Sequence, residues 1–456
     1  MAADLSGSRG GSRGTGDPGP TAGAIALPPS RDVVPFEIAA APGEPTLRWA
    51  GRATTVAEIE RELGRIWSLP QAAASRDGTT ERLVAARTSV LNLVVVARSP
   101  ELGQWAASTI AMGTGRHPSR TLIVVPTDPD GPGWLRADVR AFCMVPRPGA
   151  PETCAEHVYV TAGGDTGRHL EAIVAPLLVH DLPVTLWWPG DPPFGTTPAA
   201  GLVAMADRLV VDGSHWTGDG LDRLQALAAL GDSGLPIADF ALMRQARWRE
   251  AVASIFDHDD YLPYLRSIRR IAVTYATHGG PGAEAGTNLV KPIYHVAWLA
   301  SRLGLRVAKP LARVGRPPAG RRARPAAPGA PPEPGRGLRA LLEPPRGTDV
   351  EIVVRPVVSG TPAGTTLRVE ILAERRGLEL RAEVTAEAEI VHVRVWQDGV
   401  EALDRSFHAA RRTDVDLLAE AIEAGGRDPV AAATLATAAR LAAPESPGAA
   451  QTVDTG

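Results

Sequence analysis

The chain has 456 residues, of which 44% are hydrophobic, and its formal net charge is −3. This composition suffices for one large domain and a smaller one, and it argues against wholesale disorder and against a general affinity for nucleic acid. No segment approaches the roughly 20 apolar residues that cross a bilayer, and no secretion signal is recognisable, so we expect a cytoplasmic protein without a membrane partner. Cys143 and Cys154 lack the spacing of metal ligands, so we expect no metal site.

The N-terminal third predicts a βαβ arrangement. Residues 1–45 are rich in Gly, Ser, Pro and Ala and predict a disordered leader, after which Thr55 begins a capping box and an amphipathic helix. The runs 90–97 (VLNLVVVA) and 121–126 (TLIVVP) are apolar on both faces, as is typical of strands in a parallel sheet. Because a helical pattern from 99 to 113 lies between them, the segment predicts one strand-helix-strand unit.

The same kind of alternation continues to about residue 309. Strands are predicted at 136–145, 156–161, 184–188, 208–212 and 268–276, and helices at 167–179, 238–256 and 288–303. The two strands between 136 and 161 are hairpin-like, which makes a mixed sheet possible. We therefore predict an α/β sandwich with a mostly parallel or mixed sheet over residues 46–309.

The composition changes after residue 309. Residues 310–347 are rich in Pro and Arg and predict an extended, semi-rigid linker, whose arginines could touch a phosphate or an acidic partner but need no such role. Residues 348–442 predict a small α+β domain: four alternating strands, a hairpin turn at Asp398-Gly399, and helices at about 414–424 and 429–442. Residues 443–456 predict a disordered tail.

A pair of tryptophans, Trp187 and Trp188, ends the strand at 184–188, and a rigid turn that contains Asp191 follows. Neighbouring side chains of a strand point to opposite faces. One ring can therefore belong to the core, while the other is expected in a cleft or at a partner surface, where tryptophan is enriched. The alternative is that both rings are buried in a sheet that is covered on both sides.

A predicted helix at 238–256 carries Asp239, Arg244, Trp248 and Arg249. Arg244 and Trp248 are four residues apart and share one face of that helix. A cation beside an aromatic ring suits recognition of a carboxylate, a phosphate or a partner. A surface ion pair beside a packed tryptophan is the alternative.

A glycine-rich turn, residues 163–169 (GGDTGRH), leads into the helix predicted at 167–179. Free N–H groups at a helix start can bind an anion, and the candidate residues are Gly164, Gly167, Arg168 and His169. The turn is neither a P-loop nor a dinucleotide fingerprint, so we expect no cofactor. An ordinary strand-to-helix turn is the alternative.

Several motifs in chain order are similar to those of one known family. They are 116–120 (RHPSR), 176–183 (PLLVHDLP) leading into 187–190 (WWPG), Asp239 and Arg244 with 248–249 (WR), 298–304 (WLASRLG), and 417–418 (LL) with 427–429 (RDP). With them the chain resembles the glucose-6-phosphate dehydrogenase assembly protein OpcA family, closely over about 50–310 and loosely over about 348–440.

The resemblance implies a non-catalytic protein of the oxidative pentose phosphate pathway. Such a protein would bind glucose-6-phosphate dehydrogenase and activate it, as an allosteric activator, or help to assemble it. The residues that would then contact the partner are Trp187, Trp188, Asp191, Asp239, Arg244, Trp248 and Arg249. The alternative is a sugar-phosphate-binding protein or enzyme that uses the Gly163 to His169 turn.

Overall fold

The computed structural model describes residues 46–68, 89–113, 116–128, 130–145, 153–278, 287–313 and 337–444, together with the backbone of three short strands at 31–32, 71–74 and 80–83. Most of the predicted leader, the centre of the predicted linker (314–336) and the tail from 445 lie outside these residues. No helix in the described part is long and apolar enough to span a membrane.

In the first half of the described chain, strands alternate with helices. In the second half, a run of consecutive strands is followed by two helices. In chain order the strands are β1 (Arg31–Asp32), β2 (Thr46–Ala53), β3 (Gln71–Ala74), β4 (Thr80–Leu83), β5 (Leu91–Val96), β6 (Ser119–Pro126), β7 (Trp134–Met144), β8 (Thr153–Gly163), β9 (Val184–Trp188), β10 (Arg208–Val211), β11 (Ile237–Asp239), β12 (Ile268–Thr277), β13 (Arg306–Arg313), β14 (Leu338–Glu343), β15 (Val350–Val358), β16 (Thr366–Arg375), β17 (Leu378–Glu387), β18 (Ile390–Gln397) and β19 (Val400–His408). The α-helices are α1 (Val56–Ser68), α2 (Pro100–Gly113), α3 (Gly164–Arg168), α4 (Leu170–Val174), α5 (Thr197–Ala204), α6 (Leu221–Asp232), α7 (Phe240–Met243), α8 (Ala246–Phe256), α9 (Val290–Arg302), α10 (Asp414–Glu423) and α11 (Pro429–Leu441).

The first sheet has the order β1-β2-β7-β8-β6-β5-β9-β10-β11 among the described strands. From β8 to β11 each neighbouring pair is parallel, whereas β1, β2 and β7 pair antiparallel at the other end. Every residue of β5 and of β9 is buried, because helices cover both faces of a parallel sheet. The predicted α/β class with a mixed sheet is confirmed.

The hairpin-like pattern at 136–161 corresponds to the antiparallel pair β7 and β8. Cys143 and Cys154 lie directly opposite each other in this pair, and a disulfide joins them. The two cysteines thus tie together adjacent strands of the first sheet.

The second sheet has the order β13-β14-β15-β12-β16-β17-β18-β19. The strand predicted at 268–276 is β12, and it lies inside this sheet, parallel to β15 and antiparallel to β16. The boundary between the two sheets therefore precedes residue 268 instead of falling at 310. Alternation indicated the strand correctly, but periodicity carries no information about which sheet a strand joins.

The ends of the predicted linker are strands. Residues up to Arg313 continue β13, and Leu338–Glu343 form β14, which pairs antiparallel with β13. Their high Pro and Arg content concealed this pairing, since both residue types are typical of unpaired linkers.

The last two helices pack on different elements. Helix α10 lies against α2 and α7, whereas α11 lies against α6 and α9 and also contacts β13 of the second sheet. Leu417 and Leu418 of α10 share a buried cluster with residues of β5 and α2, while Leu435 of α11 joins the larger core. The sequence assigned α10 and α11 to a separate C-terminal domain, but their apolar faces bury surface of the N-terminal half. An amphipathic pattern predicts that one face of a helix is buried, but it does not show which element of the fold covers that face.

Two predicted helices are interrupted. The helix at 167–179 is divided into α3, α4 and a 3-10 turn, with His169 in a non-helical conformation (φ −113°, ψ 61°) between them. The helix at 238–256 becomes β11, α7 and α8, and Asp239 ends the strand and caps α7. These breaks occur where polar side chains or turns compete with helical hydrogen bonding.

Candidate functional site

Both rings of the tryptophan pair are buried: Trp187 is 0% and Trp188 is 1% exposed. Trp187 packs against Trp105 of α2 (5.4 Å between ring centroids) and Phe240 of α7 (5.9 Å), whereas Trp188 meets Phe194 on the opposite face (5.7 Å). The expectation that one ring lies near a partner surface is therefore wrong. The reason is that both faces of β9 are covered, one by α2 and the other by the larger core.

An ion pair between Asp212 and Arg244 lies at the carboxyl edge of the first sheet. Asp212 follows β10 and is fully buried, and Arg244 follows α7. The two Arg244 terminal nitrogens donate to the two Asp212 carboxylate oxygens, each at 2.8 Å. Burial would raise the pKa of Asp212, but hydrogen bonds from His215 and Arg244 hold it well below its usual range.

The same network includes residues distant in sequence. Arg244 Nη2 also contacts Asp414 at the start of α10, at 2.5 Å. His215 Nδ1 lies 3.1 Å from Asp212, and that contact raises the pKa of His215. His215 is the most accessible member, because 54% of its side chain is exposed. Lys291 of α9 faces the network, and burial lowers its pKa.

A second buried carboxylate, Asp239, lies beside the first. Its Oδ1 accepts from the N–H groups of Gly213 (2.9 Å) and Ala241 (2.8 Å), and its Oδ2 accepts from the Tyr294 hydroxyl (2.7 Å). Burial raises the pKa of Asp239 to about 6, and these hydrogen bonds only partly oppose the shift. Asp239 thus organises the turn that holds Asp212, instead of contacting a partner.

The other predicted contact residues divide into structural and accessible side chains. Asp191 accepts from Thr217 N–H (2.9 Å) and Oγ1 (2.7 Å) and pairs with Arg223 (3.1 Å). Trp248 is buried against His295, with ring centroids 5.2 Å apart. Arg249 is half-buried and lines a groove beside α11. Arg244 and Arg249 therefore keep accessible surface, whereas Asp191 and Trp248 hold the fold.

The glycine-rich turn uses its polar groups internally. Gly164 N–H donates to the Asp128 carbonyl (2.8 Å), and a Cβ at this positive-φ residue would lie 2.3 Å from the Gly131 oxygen. A Cβ at Gly167 would likewise lie 2.8 Å from the Ala162 oxygen. These contacts explain both glycines, because a Cβ at either would clash with a neighbouring carbonyl oxygen, and Gly164 also has a positive φ.

The basic side chains of this turn have acidic neighbours. Arg168 lies 3.4 Å from Asp130, and His169 lies 3.6 Å from both Asp165 and Glu171. An anion would have to compete with these carboxylates, so the geometry does not favour the predicted anion site. The described residues also contain no group of three or more side chains that could hold a metal ion.

The centre of the polar network is formed by residues that the sequence did not single out. Asp212 and His215 follow β10, and Asp414 lies in a distant helix. The one available signal was that Asp212 directly follows a buried strand, the position where parallel sheets collect polar groups at their carboxyl edge. No spacing rule could link it to Asp414.

Comparison with solved structures gives weak likenesses. An NAD binding oxidoreductase from Klebsiella pneumoniae has 12% identity and a TM-score of 0.40, with 77% of this chain and 94% of that chain covered. Myo-inositol dehydrogenase from Lactobacillus casei has 11% identity and a TM-score of 0.36, with 77% and 92% covered. Scores at this level support no inference about function.

Sequence relatives are more informative. A protein described as an OxPP cycle protein OpcA in Nostoc punctiforme is 27% identical over 189 residues, which is 41% of this chain and 38% of the relative. One in Synechocystis sp. with the same description is 28% identical over 207 residues, covering 45% and 41%. The matched region thus spans about two fifths of these relatives' length.

Two family models match consecutive parts of the chain. The model described as the glucose-6-phosphate dehydrogenase subunit N-terminal domain matches residues 112–229. The model described as the corresponding C-terminal domain matches residues 235–435, so the two together cover well over half of the chain. The order of the matches is also the order of the motifs found in the sequence. This chain belongs to the OpcA family.

Proposed function

We propose that this chain is a non-catalytic partner of glucose-6-phosphate dehydrogenase, which it binds and activates or helps to assemble in the oxidative pentose phosphate pathway. The observation that carries the proposal is the consecutive match of both dehydrogenase-subunit domains, over 112–229 and 235–435. The names of the curated relatives place those proteins in the same pathway. We further propose a cytoplasmic location, where the enzymes of sugar metabolism lie.

The geometry at the carboxyl edge of the first sheet supports a non-catalytic role. In open α/β sheets this edge is the usual place for a ligand crevice. Here Trp105 covers Trp187, and Arg244 is held by Asp212 and Asp414. The positions that would face a substrate are thus taken by side chains that stabilise the fold.

The direct test uses the purified chain and the dehydrogenase from the same organism. We expect the two to co-migrate in analytical ultracentrifugation and the chain to change the apparent KM or kcat for glucose 6-phosphate, followed through NADPH absorbance. Sedimentation of the dehydrogenase also separates the two forms of the proposal, because assembly changes its oligomeric state and activation need not. If no complex forms and the rates are unchanged, the proposal is wrong.

A control assay addresses the non-catalytic part of the proposal. The chain alone, with glucose 6-phosphate and NADP, should produce no NADPH above the buffer rate. Turnover that follows the chain through purification would contradict a non-catalytic role. The same result would revive the alternative of a sugar-phosphate enzyme.

Hydrogen exchange of the complex can locate the interface. Arg244 and Arg249 are the predicted contacts with accessible side chains, and we propose that the surface around α7 and α8 meets the dehydrogenase. We expect slower exchange there in the complex than in the free chain. Protection confined to the second sheet would move the interface away from these residues.

A further inference from the structure

Two arginines meet at one backbone carbonyl oxygen where the second sheet approaches α8. Arg247 Nη1, in the first turn of α8, donates to the carbonyl oxygens of Ala388 (2.6 Å) and Ala409 (3.1 Å). Arg411 Nε, in the segment that follows β19, donates to the same Ala388 oxygen (3.1 Å). A backbone carbonyl accepts hydrogen bonds but carries no net charge. Two positive charges are therefore held side by side without being neutralised.

A third cation, Lys291, lies beside this pair, in the first turn of α9. Burial lowers the pKa of Lys291, and the charge of Asp212 opposes this shift. Repulsion by Arg244 and Arg411 lowers the pKa of Lys291 further. Burial also lowers the pKa of Arg247, and repulsion by Arg411 adds to that effect. Because the charge of Arg411 acts on both neighbours, Arg247, Lys291 and Arg411 form one cation cluster.

The carboxylates around the cation cluster are held by other cations. Asp212 accepts from both terminal nitrogens of Arg244, which also pairs with Asp414. Glu389, at the turn between β17 and β18, pairs with His408 at 2.9 Å. Among the described residues, no carboxylate lies within 4 Å of any of the three cations of the cluster. The cluster thus has a surplus of positive charge that a bound anion would neutralise.

We propose that the cation cluster binds a phosphate group, carried by a phosphate monoester or present as free phosphate. Such a dianion matches two guanidiniums and one ammonium, and the first turn of α9 adds the end of the helix dipole that favours an anion. Arg411 is exposed, whereas Arg247 and Lys291 are half-buried, so the phosphate enters from solvent and meets partly desolvated charges. The site does not rest on the proposed function, although Arg247 belongs to the α8 surface proposed to meet the dehydrogenase.

The first test titrates inorganic phosphate and glucose 6-phosphate into the full chain by isothermal calorimetry, at constant ionic strength, without dehydrogenase and with sodium nitrate as the control. We expect at least one of the two phosphates to bind about tenfold or more tightly than nitrate, since a dianion can accept from all three cations. Tighter binding of glucose 6-phosphate identifies a monoester, equal or weaker binding identifies free phosphate, and both support the site. If neither binds more tightly than nitrate, the proposal is overturned.

Two variants locate the binding. Arg411→Met removes one charge of the cluster at an exposed position, where the fold should tolerate the change, and it should weaken phosphate binding about tenfold. Arg302→Met, at an exposed arginine at the other end of α9, should leave the affinity unchanged. Unchanged phosphate affinity in Arg411→Met overturns the proposed site.

Amine labelling of the unmodified sequence gives a second readout, because the chain has only two lysines, Lys291 and Lys309. Lys309 is exposed in β13, outside the cluster, and is the internal control. Saturating phosphate should slow acetylation of Lys291 about threefold or more, because an ammonium paired with an anion stays protonated and is not nucleophilic.

Mass spectrometry of the two lysine peptides follows the labelling, and the rate at Lys309 should not change. An unchanged rate at Lys291, or equal slowing at both lysines, contradicts the assignment. If Lys291 does not react even without phosphate, the affinity of Arg411→Met decides. These experiments contain no dehydrogenase, so failure of the proposed function leaves their outcome unaffected, and the converse also holds.

Discussion

Arg244 holds Asp212 by two hydrogen bonds of 2.8 Å, one from each terminal nitrogen of the guanidinium to one carboxylate oxygen. Asp212 is completely buried, so its charge depends on this partner and on the neighbouring His215. The same guanidinium reaches Asp414, which begins α10. One side chain thus connects the end of β10 to a helix some 200 residues away.

We expect Arg244→Met to lower the free energy of unfolding by about 3 kcal/mol, because it leaves the Asp212 carboxylate buried without its main counter-charge. The unfolding free energy of Arg244→Lys should lie between those of wild type and Arg244→Met, since an ammonium cannot donate in the same bidentate way. Urea unfolding followed by fluorescence measures both. Arg302→Met is the matched control and should change stability by less than about 0.5 kcal/mol. A loss below about 1 kcal/mol for Arg244→Met would contradict the inferred role.

The tryptophan pair should behave as core residues. We expect Trp187→Ala and Trp188→Ala each to lower the free energy of unfolding by about 3 to 5 kcal/mol, because each leaves a large cavity in a packed interior. Trp134→Ala is the control, since Trp134 is 37% exposed beside Arg136 and should cost far less. If Trp187→Ala or Trp188→Ala keeps wild-type stability, that ring does not have the buried position found here.

The free energy of unfolding should depend on pH through the ionisation of Asp239. Its pKa is raised to about 6 in the folded chain, so between the unfolded value and about pH 6 the native state binds the proton more strongly. Its contribution to stability is therefore greatest at low pH and is lost as the pH rises through 6. Asp239→Asn removes this dependence while its amide oxygen still accepts from Gly213 and Ala241.

The expected measurement is a difference between two unfolding curves. From pH 4 to pH 7, the unfolding free energy of Asp239→Asn relative to wild type should rise by about 2 kcal/mol. A difference that does not change with pH would mean that Asp239 is ionised throughout this range.

Titration followed by NMR should give a higher pKa for His215, in the polar network, than for His157, in the core. Contact with Asp212 raises the pKa of His215 above 6.5, so its stabilising contribution is present below that pH and is lost above its folded pKa. Burial, aided by Arg140, lowers the pKa of His157 to about 4, and its contribution is lost as pH falls below 6.5. Protonation of His157 near pH 6.5, or of His215 below it, would contradict these environments.

The C-terminal helices should stabilise the N-terminal sheet. Leu417→Ala should cost about 2 to 4 kcal/mol and speed hydrogen exchange in α2, because Leu417 shares a buried cluster with Ile110 and Leu93. Val400→Ala, on an edge strand where Val400 is 70% exposed, is the control and should have little effect. Faster exchange confined to the second sheet would show that α10 belongs there instead.

Local patterns were sufficient for most strands and for the class of the fold. The runs that became β5 and β9 are mostly apolar and carry apolar residues on both faces, which is typical of strands buried on both sides. Asp398 and Gly399 likewise form the predicted turn, with φ of 49° and 79°. Such features depend on neighbours within a few residues, which the sequence displays directly.

The remaining decisions depended on contacts between residues far apart in the chain. The sequence by itself determined that Trp187 and Trp188 point to opposite faces of a strand, and that the chain carries the OpcA motifs in order. Only the tertiary structure decided that both rings are buried, since α2 covers one face of β9 and the larger core covers the other. In the same way, only folding brings Asp414 to Arg244, because pairing across 170 residues leaves no local period to recognise.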